Sequence, residues 1–489
     1  MSQYWIIAAI ALPILGAAVI PLFPFRSRKE MLWYIEAIVL ITSVIVAALL
    51  VGGKTDAFQV VHFVRNLSIS FRIDGLSIVF AGLVAILWPL ATLYAFEYMT
   101  HEKNEKSFFL FYVMTYGVTL GIAFAADMLT MYFFYELLTL VTVPLVMHTL
   151  TREAILAVRK YLYFSIGGAA FALMGMIFVL VYGNTCEFQL GGVFSADSLL
   201  RHGNLLLWIY FFSFMGFGVK AAVCPVSSWL PQAGVAPTPV TALLHAVAVV
   251  NAGAFAIIRL TYYSFGIDFL RGTWVQDVAL AITMFTIVYG CSRAVKETHI
   301  KRRLAWSTVS NLSYILFGAV VMTPLGMVGA LTHFVFHGFM KITAFFCAGV
   351  FMHQTGKKHV YEMDGMGRCM KITFGCFAVS SLGLMGVPGL AGFISKWNLT
   401  AAAVESGNVL AYAGVACLLL SALLTAIYML SVVSRAFFPS RRETALETAS
   451  DPSWQMCLPM LVCAAATVVL GICSQPLVDF FQAVANGVF

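Results

Sequence analysis

The sequence predicts an all-α polytopic membrane protein, and three observations carry that reading. Only 51 of the 489 residues are formally charged (29 Lys and Arg, 22 Asp and Glu), whereas 61% are hydrophobic. A soluble domain carries about a quarter charged residues, so a water-facing surface of this size is excluded; the mean hydropathy of +0.91 agrees. The apolar residues also fall in continuous runs near the roughly 20 residues that a helix needs to cross a bilayer. They do not form the alternating segments of about ten residues that mark a barrel.

Bounded by charges and turn residues, the runs place spans at 4–23, 32–52, 75–98, 107–126, 128–149, 161–182 and 205–229. They continue at 238–260, 276–292, 304–322, 326–352, 371–400, 408–432 and 456–483, about fourteen in all. No basic residue precedes the first run and no small-residue cleavage site ends it, so it reads as a span and not a removed signal peptide. Segment 54–74 alternates apolar and polar residues and predicts a surface hairpin. Nothing between the runs is large enough for a soluble domain. The expected organisation is one transmembrane domain over 1–489: spans 1–3 and the hairpin in 1–106, spans 4–8 in 107–260, spans 9–13 in 276–432, and the last span at 456–483.

Loops after odd-numbered spans carry 20 Lys and Arg, among them Arg441 and Arg442. Loops after even-numbered spans carry six: Lys54, Arg65, Arg72, Arg201, Arg259 and Arg271. By the positive-inside rule both termini face outward from a bacterial-type inner membrane. The net charge of +7 is therefore topological and points to no nucleic acid. None of the ten cysteines forms a CxxC pair, which argues against a cluster or zinc site in this chain.

Lys220, Lys341 and Lys396 fall inside apolar runs, where a charge costs roughly 2.5–3.5 kcal/mol on insertion scales. Span seven (FGVKAAVCPVSSWLPQ) is broken by Pro225, and span twelve (SLGLMGVPGLAGFISKWN) by Pro388 and its flanking glycines. An offset of five spans sets the two breaks in opposite orientations. Broken, lysine-bearing helices in matching positions of inverted halves mark an ion-handling protein. Glu136 is an isolated carboxylate in span five, and Lys220 is its expected partner. An ion pair in low dielectric whose strength depends on each member's proton load is a natural switch. In span eleven, His333, His337 and Lys341 stand at i, i+4 and i+8 on one helical face. HxxxH could hold zinc, but no third ligand is visible and Lys341 would repel the metal. His245 in span eight stands between the two clusters in sequence. Glu36 reads as structural, and His148 as an access route or an interfacial residue. The series Glu136, Lys220, His245, His333, His337, Lys341, Lys396 is that of a mid-membrane polar axis for moving protons.

The segments FFYELLTL, VKAAVCPVSSWLPQAGVAPTPVTALLHAVAVVNAGAFAIIRL, IKRRLAWSTVSNLSYI, ALTHFVFHGFMKITAFF and GVPGLAGFISKW carry a resemblance over roughly residues 60–435. The chain resembles the antiporter-like subunits of respiratory complex I, membrane-bound hydrogenases and multisubunit Mrp sodium/proton antiporters. The resemblance implies fourteen spans, with 4–8 and 9–13 as inverted five-helix repeats. It also implies a glutamate–lysine pair at Glu136 and Lys220, a central lysine at Lys341 and a terminal one at Lys396. Some members have a lysine where this chain has Asn251; His245, one and a half turns earlier, and Lys396 resemble the large distal complex I subunit. That subunit continues into a long lateral helix, whereas this chain stops a few residues after span fourteen.

A non-catalytic proton-translocating subunit of a redox-driven complex is the function so implied. Its partners would be other membrane subunits, homologous ones among them, and a soluble arm holding iron–sulfur clusters; the chain itself would hold no cofactor. A subunit of an Mrp-type cation/proton antiporter is the second reading, and the membrane part of an inorganic-carbon uptake system a further one. A stand-alone solute transporter is disfavoured, because the polar groups form an axis and no single pocket.

Overall fold

The computed structural model describes residues 2–64, 67–439 and 449–488; Arg65, Arg441 and Arg442 lie outside them. Helices α1 (Ser2–Leu22) and α2 (Arg28–Val51) lead into an antiparallel hairpin, β1 (Phe58–Val64) and β2 (Leu67–Phe71). The hairpin is the one expected over 54–74. Then follow α3 (Gly75–Tyr98), α4 (Glu105–Ala123), α5 (Met128–Val146) and α6 (Arg152–Tyr182). Asp74, Asp127 and Thr151 cap α3, α5 and α6, each side chain accepting from the backbone N–H three residues on.

Span seven is discontinuous, as its proline predicts. Helix α7 (Ala196–Gly218) stops before Lys220, and the chain resumes as a short 3-10 turn and α8 (Leu230–Ala233). Two freed carbonyls find partners: the Trp229 indole donates to Val219 at 2.8 Å and the Tyr135 hydroxyl to Phe217 at 3.2 Å. Span twelve divides likewise into α16 (Lys371–Met385) and α17 (Ala391–Glu405), separated by Gly386 and Gly389 with φ of +90° and +87°.

Span eight, expected as a continuous helix over 238–260, is also broken. Helix α9 (Thr238–Ala246) and α10 (Val249–Ile258) are separated by Val247 and Ala248, and a π-helical turn follows at Arg259–Phe265. No proline marks the site. The Asn251 amide donates to the Ala246 carbonyl at 3.0 Å and so satisfies the acceptor that the break exposes. Arg259, counted above as a loop cation, is wholly buried and paired through both terminal guanidinium nitrogens with Asp74 at 2.6 and 2.7 Å.

After α11 (Ile267–Leu270) come α12 (Trp274–Lys296), α13 (Ile300–Val320), α14 (Pro324–Thr355) and a short α15 (Met366–Cys369), which leads into α16. Helix α18 (Val409–Phe437) follows α17. The predicted span 456–483 is corrected to two helices, α19 (Trp454–Ile472) and α20 (Gln475–Ala485), because Pro476 starts a new first turn. Among the described residues eleven helices are long and apolar enough to cross a membrane. The other three predicted spans coincide with α7–α8, the polar α13 and the divided α16–α17.

Helix α14 is the hub. Its apolar stretch is buried throughout, and it packs on α3, α9, α13, α16, α17 and α19. Helices α1 and α2 bury only 39% and 33% of their apolar stretches. The position of α14 puts Lys341 at the centre of the molecule.

Candidate functional site

Lys220 and Lys341 are removed from solvent by the fold, Lys396 is half-buried, and none of the three makes an ion pair within 4 Å among the described residues. Lys220 lies in the break of span seven. Its ammonium donates to the Tyr135 carbonyl and stands 3.4 Å from the centroid of the Tyr135 ring. Glu136, the next residue on α5, is half-buried, and its Oε1 has no hydrogen-bond partner. Glu136 and Lys220 are thus neighbours through Tyr135 and not a closed ion pair. The close approach depends on Gly253: a Cβ there would come within 2.5 Å of the Ala221 nitrogen and 2.9 Å of the Lys220 carbonyl carbon.

Lys341 donates to the Ser307 hydroxyl at 2.7 Å; Ser307 lies 2.7 Å from the Tyr428 hydroxyl, which donates to Thr425 at 3.2 Å. A polar thread therefore runs from α14 through α13 to α18. The His333 and His337 rings are 5.8 Å apart on the Lys341 face, as the i, i+4, i+8 spacing requires. His333 Nδ1 lies 2.9 Å from the Ser395 hydroxyl. Both nitrogens of His337 and both of His245 are buried without a protein partner, and the His245 ring stacks on Phe345 at 4.8 Å. His245 ends α9 at the unanticipated break.

Lys396 reaches back across the break of span twelve. It donates to the last carbonyls of α16, Leu384 at 2.8 Å and Met385 at 3.0 Å, and stands 5.3 Å from the Tyr314 ring centroid. Tyr314 lies 5.2 Å from His333, so aromatic and imidazole groups link Lys396 to the central stripe. Pro225 and Pro388 both sit in the loops that open these helices. His148 is half-buried against Phe108, and Glu36 is half-buried with one carboxylate oxygen unpartnered; neither joins the series.

Sequence reasoning missed Ser307, Tyr428, Ser395 and Tyr314. A signal was present for most of them. Ser307, Asn311 and Tyr314 repeat at i, i+4, i+7 on α13, and Ser421, Thr425 and Tyr428 do so on α18. Two polar stripes in membrane helices must face protein, and these face Lys341 and each other.

Three broken helices around a buried row of lysines and histidines define an ion-handling polytopic membrane protein. The family model described as "NADH:quinone oxidoreductase/Mrp antiporter, TM" matches residues 125–428, and one described as "NADH-Ubiquinone oxidoreductase (complex I), chain 5 N-terminus" matches residues 62–109. The chain belongs to the NADH:quinone oxidoreductase/Mrp antiporter transmembrane family.

It is 28% identical over 461 residues to NAD(P)H-quinone oxidoreductase chain 4 of a Picosynechococcus species, covering 91% of this chain and 84% of that one. It is 26% identical to Na(+)/H(+) antiporter subunit A1 of Staphylococcus haemolyticus, covering 95% of this chain but 60% of that longer protein. The fold is that of a chain in the Mrp complex from a Dietzia species (TM-score 0.85, 20% identity, 98% and 97% of the two chains covered). It is likewise that of a chain in respiratory complex I from Thermus thermophilus (TM-score 0.82, 21% identity, 99% and 98% covered). Both are multisubunit assemblies.

Proposed function

We propose that the chain is a proton-translocating membrane subunit of a redox-driven complex, complex I-like or hydrogenase-like. The observation that carries this reading is Lys341. It is an amine buried at the hub with no carboxylate within 4 Å among the described residues, held by a hydroxyl thread, while both nitrogens of His337 and of His245 are free of protein partners. Such a group exchanges protons more readily than it holds a structural charge, since a permanent charge there would need a counter-ion.

In this reading a proton passes along Glu136, Lys220, His245, His337, Lys341, His333 and Lys396, with water between groups that do not touch. Glu136 approaching Lys220 favours its charged form; withdrawal releases the proton toward His245. Lys341, its ammonium held by Ser307, hands its proton to His337, and Lys396 ends the series. Residues 107–260 and 276–432 are the two repeats, and both termini face outward from an inner membrane. The redox cofactors, iron–sulfur clusters among them, belong to partner subunits and a soluble arm, and homologous antiporter-like subunits are among the membrane partners. The similarity to an antiporter subunit favours the second reading, in which the same axis serves cation/proton exchange without redox chemistry.

The test is Lys341→Ala in the intact complex reconstituted in vesicles. Alanine favours helix and removes a desolvated charge, so insertion and assembly persist while proton translocation is abolished. Loss of assembly with no separable transport defect would refute the role. Reporters fused after Gly192 and after Lys357 test the orientation: the first lies outside and the second inside.

A further inference from the structure

A cavity of about 460 Å³ beside Lys54 and a groove along α3 and α19 have mainly apolar walls, but a third cavity, of about 430 Å³ on the basic face, is lined differently. Thr149, Thr151 and Glu153 contribute to it from the loop before α6 and the start of that helix. His299, Lys301, Arg302 and Lys358 contribute from the second half of the chain. The cavity therefore lies at the junction of the two halves, apart from the series Glu136 to Lys396.

Its charge is out of balance. Helix α13 begins here with Ile300, Lys301 and Arg302, so cations occupy its first turn, where the positive end of the helix dipole favours anions. There is no acidic residue in that turn, and His299 at the N-cap makes no side-chain capping bond. Lys301, although 3% exposed, has the Ala236 carbonyl at 2.7 Å as its hydrogen-bond acceptor. None of Lys301, Arg302 or Lys358 has a carboxylate within 4 Å among the described residues. Glu153 is the lining's one carboxylate and is exposed. The carboxylates of Glu297 and Glu362 are engaged by backbone N–H groups of residues 298–299 and 358–359. Burial, followed by the charges of Lys301, Arg302, His359 and Lys358, pushes the His299 imidazole down to about 4. Burial is the larger cause, and the neighbouring cations act in the same direction.

We propose that this cavity binds a phosphate-class oxyanion, with Arg302, Lys358 and Lys301 supplying charge, the α13 N-terminus supplying backbone N–H groups, and Thr149 and Thr151 supplying hydroxyls. Because its walls come from both halves, the bound anion joins them and rigidifies the junction above α9, the helix that carries His245. The phosphate is either free in solution or the headgroup of an anionic phospholipid reaching the basic face. The site does not depend on the transport reading above.

The experiment uses the full chain in nanodiscs. In phosphatidylcholine discs the thermal midpoint is followed with inorganic phosphate against chloride at matched ionic strength. In phosphatidylglycerol discs, native mass spectrometry follows lipid retained after detergent extraction. Phosphate should raise the midpoint saturably by roughly 1–3 °C if the source is free anion, and phosphatidylglycerol should be retained if it is lipid. Either response supports the site, provided that Arg302→Gln/Lys358→Gln weakens it about tenfold or more while leaving the midpoint in chloride unchanged. Those two side chains are exposed, so the variant folds. No effect of phosphate beyond chloride together with no retained lipid, or a response untouched by the double variant, overturns the proposal.

Discussion

The breaks of spans seven and twelve are built from similar parts to different ends. Each is opened by a proline, carries one lysine, buried in the first and half-buried in the second, and needs a glycine where another backbone comes close. At the first break Lys220 is held across a helix boundary: its acceptor is the Tyr135 carbonyl on α5, with the Glu136 carboxylate the next residue along. At the second, Lys396 is held by its own span, capping the carbonyls of Leu384 and Met385 that the break exposes. A lysine that caps a helix C-terminus is favoured by the dipole and by charge-assisted bonds. A lysine beside an unpaired carboxylate would, in the proposed mechanism, have its charge set by that carboxylate. The difference teaches that a break makes a lysine tolerable, whereas its neighbours decide whether it is switchable.

The largest effect should come from breaking the first arrangement. Glu136→Gln is expected to stop proton translocation in vesicles nearly as completely as Lys220→Ala, with the double variant little worse than either. Glu136→Asp, one methylene shorter, should be intermediate. Independent, multiplicative losses in this cycle would mean that the two residues do not act as a unit.

Lys396→Ala should differ in kind. It leaves two carbonyls at the end of α16 without their cation, so stability falls by about 1–3 kcal/mol as well as transport. If Lys396→Ala is as stable as the parent, the capping account fails.

The glycines sharpen the same contrast. Gly253→Ala puts a methyl against the backbone of Ala221 and Lys220, and Gly392→Ala puts one into the Gly383 carbonyl. Each should cost about 1–3 kcal/mol by overpacking. Gly253→Ala should in addition lower translocation, because it displaces Lys220 from Tyr135; a fully active Gly253→Ala would detach that lysine from the mechanism.

The smallest change is Asn251→Ala, which leaves the Ala246 carbonyl unpaired next to His245. A loss of about 1 kcal/mol in denaturant unfolding, with the break retained, is expected.

Much of the molecule is legible in the chain because membranes impose simple rules. The apolar runs located the membrane helices, eleven of them long and apolar enough to cross among the described residues, and the i, i+4, i+8 spacing placed His333, His337 and Lys341 on one face before any packing was known. The prolines announced the breaks of spans seven and twelve. The break in span eight was not announced, because an asparagine side chain and a close-packed glycine replace the proline signal, and both act only through neighbours distant in sequence. The thread from Lys341 through Ser307 to Tyr428 was hidden for a related reason. Each hydroxyl lies on its own helix with a readable stripe, but 34 residues separate Ser307 from Lys341 and 121 separate it from Tyr428.

The sequence by itself determined that this is a polytopic helical membrane protein, which residues are ionisable inside it, and which faces of each helix must be hidden from lipid. Only the tertiary structure decided which of those groups meet. It set Lys220 on Tyr135 beside Glu136, bound Lys396 to its own span, paired Arg259 with Asp74 and gave Lys341 a hydroxyl in place of a counter-ion. The physical reason is that burial and periodicity are properties of one helix and are written locally. A hydrogen bond between helices depends on their relative rotation and depth, which are settled by the packing of the whole bundle around α14.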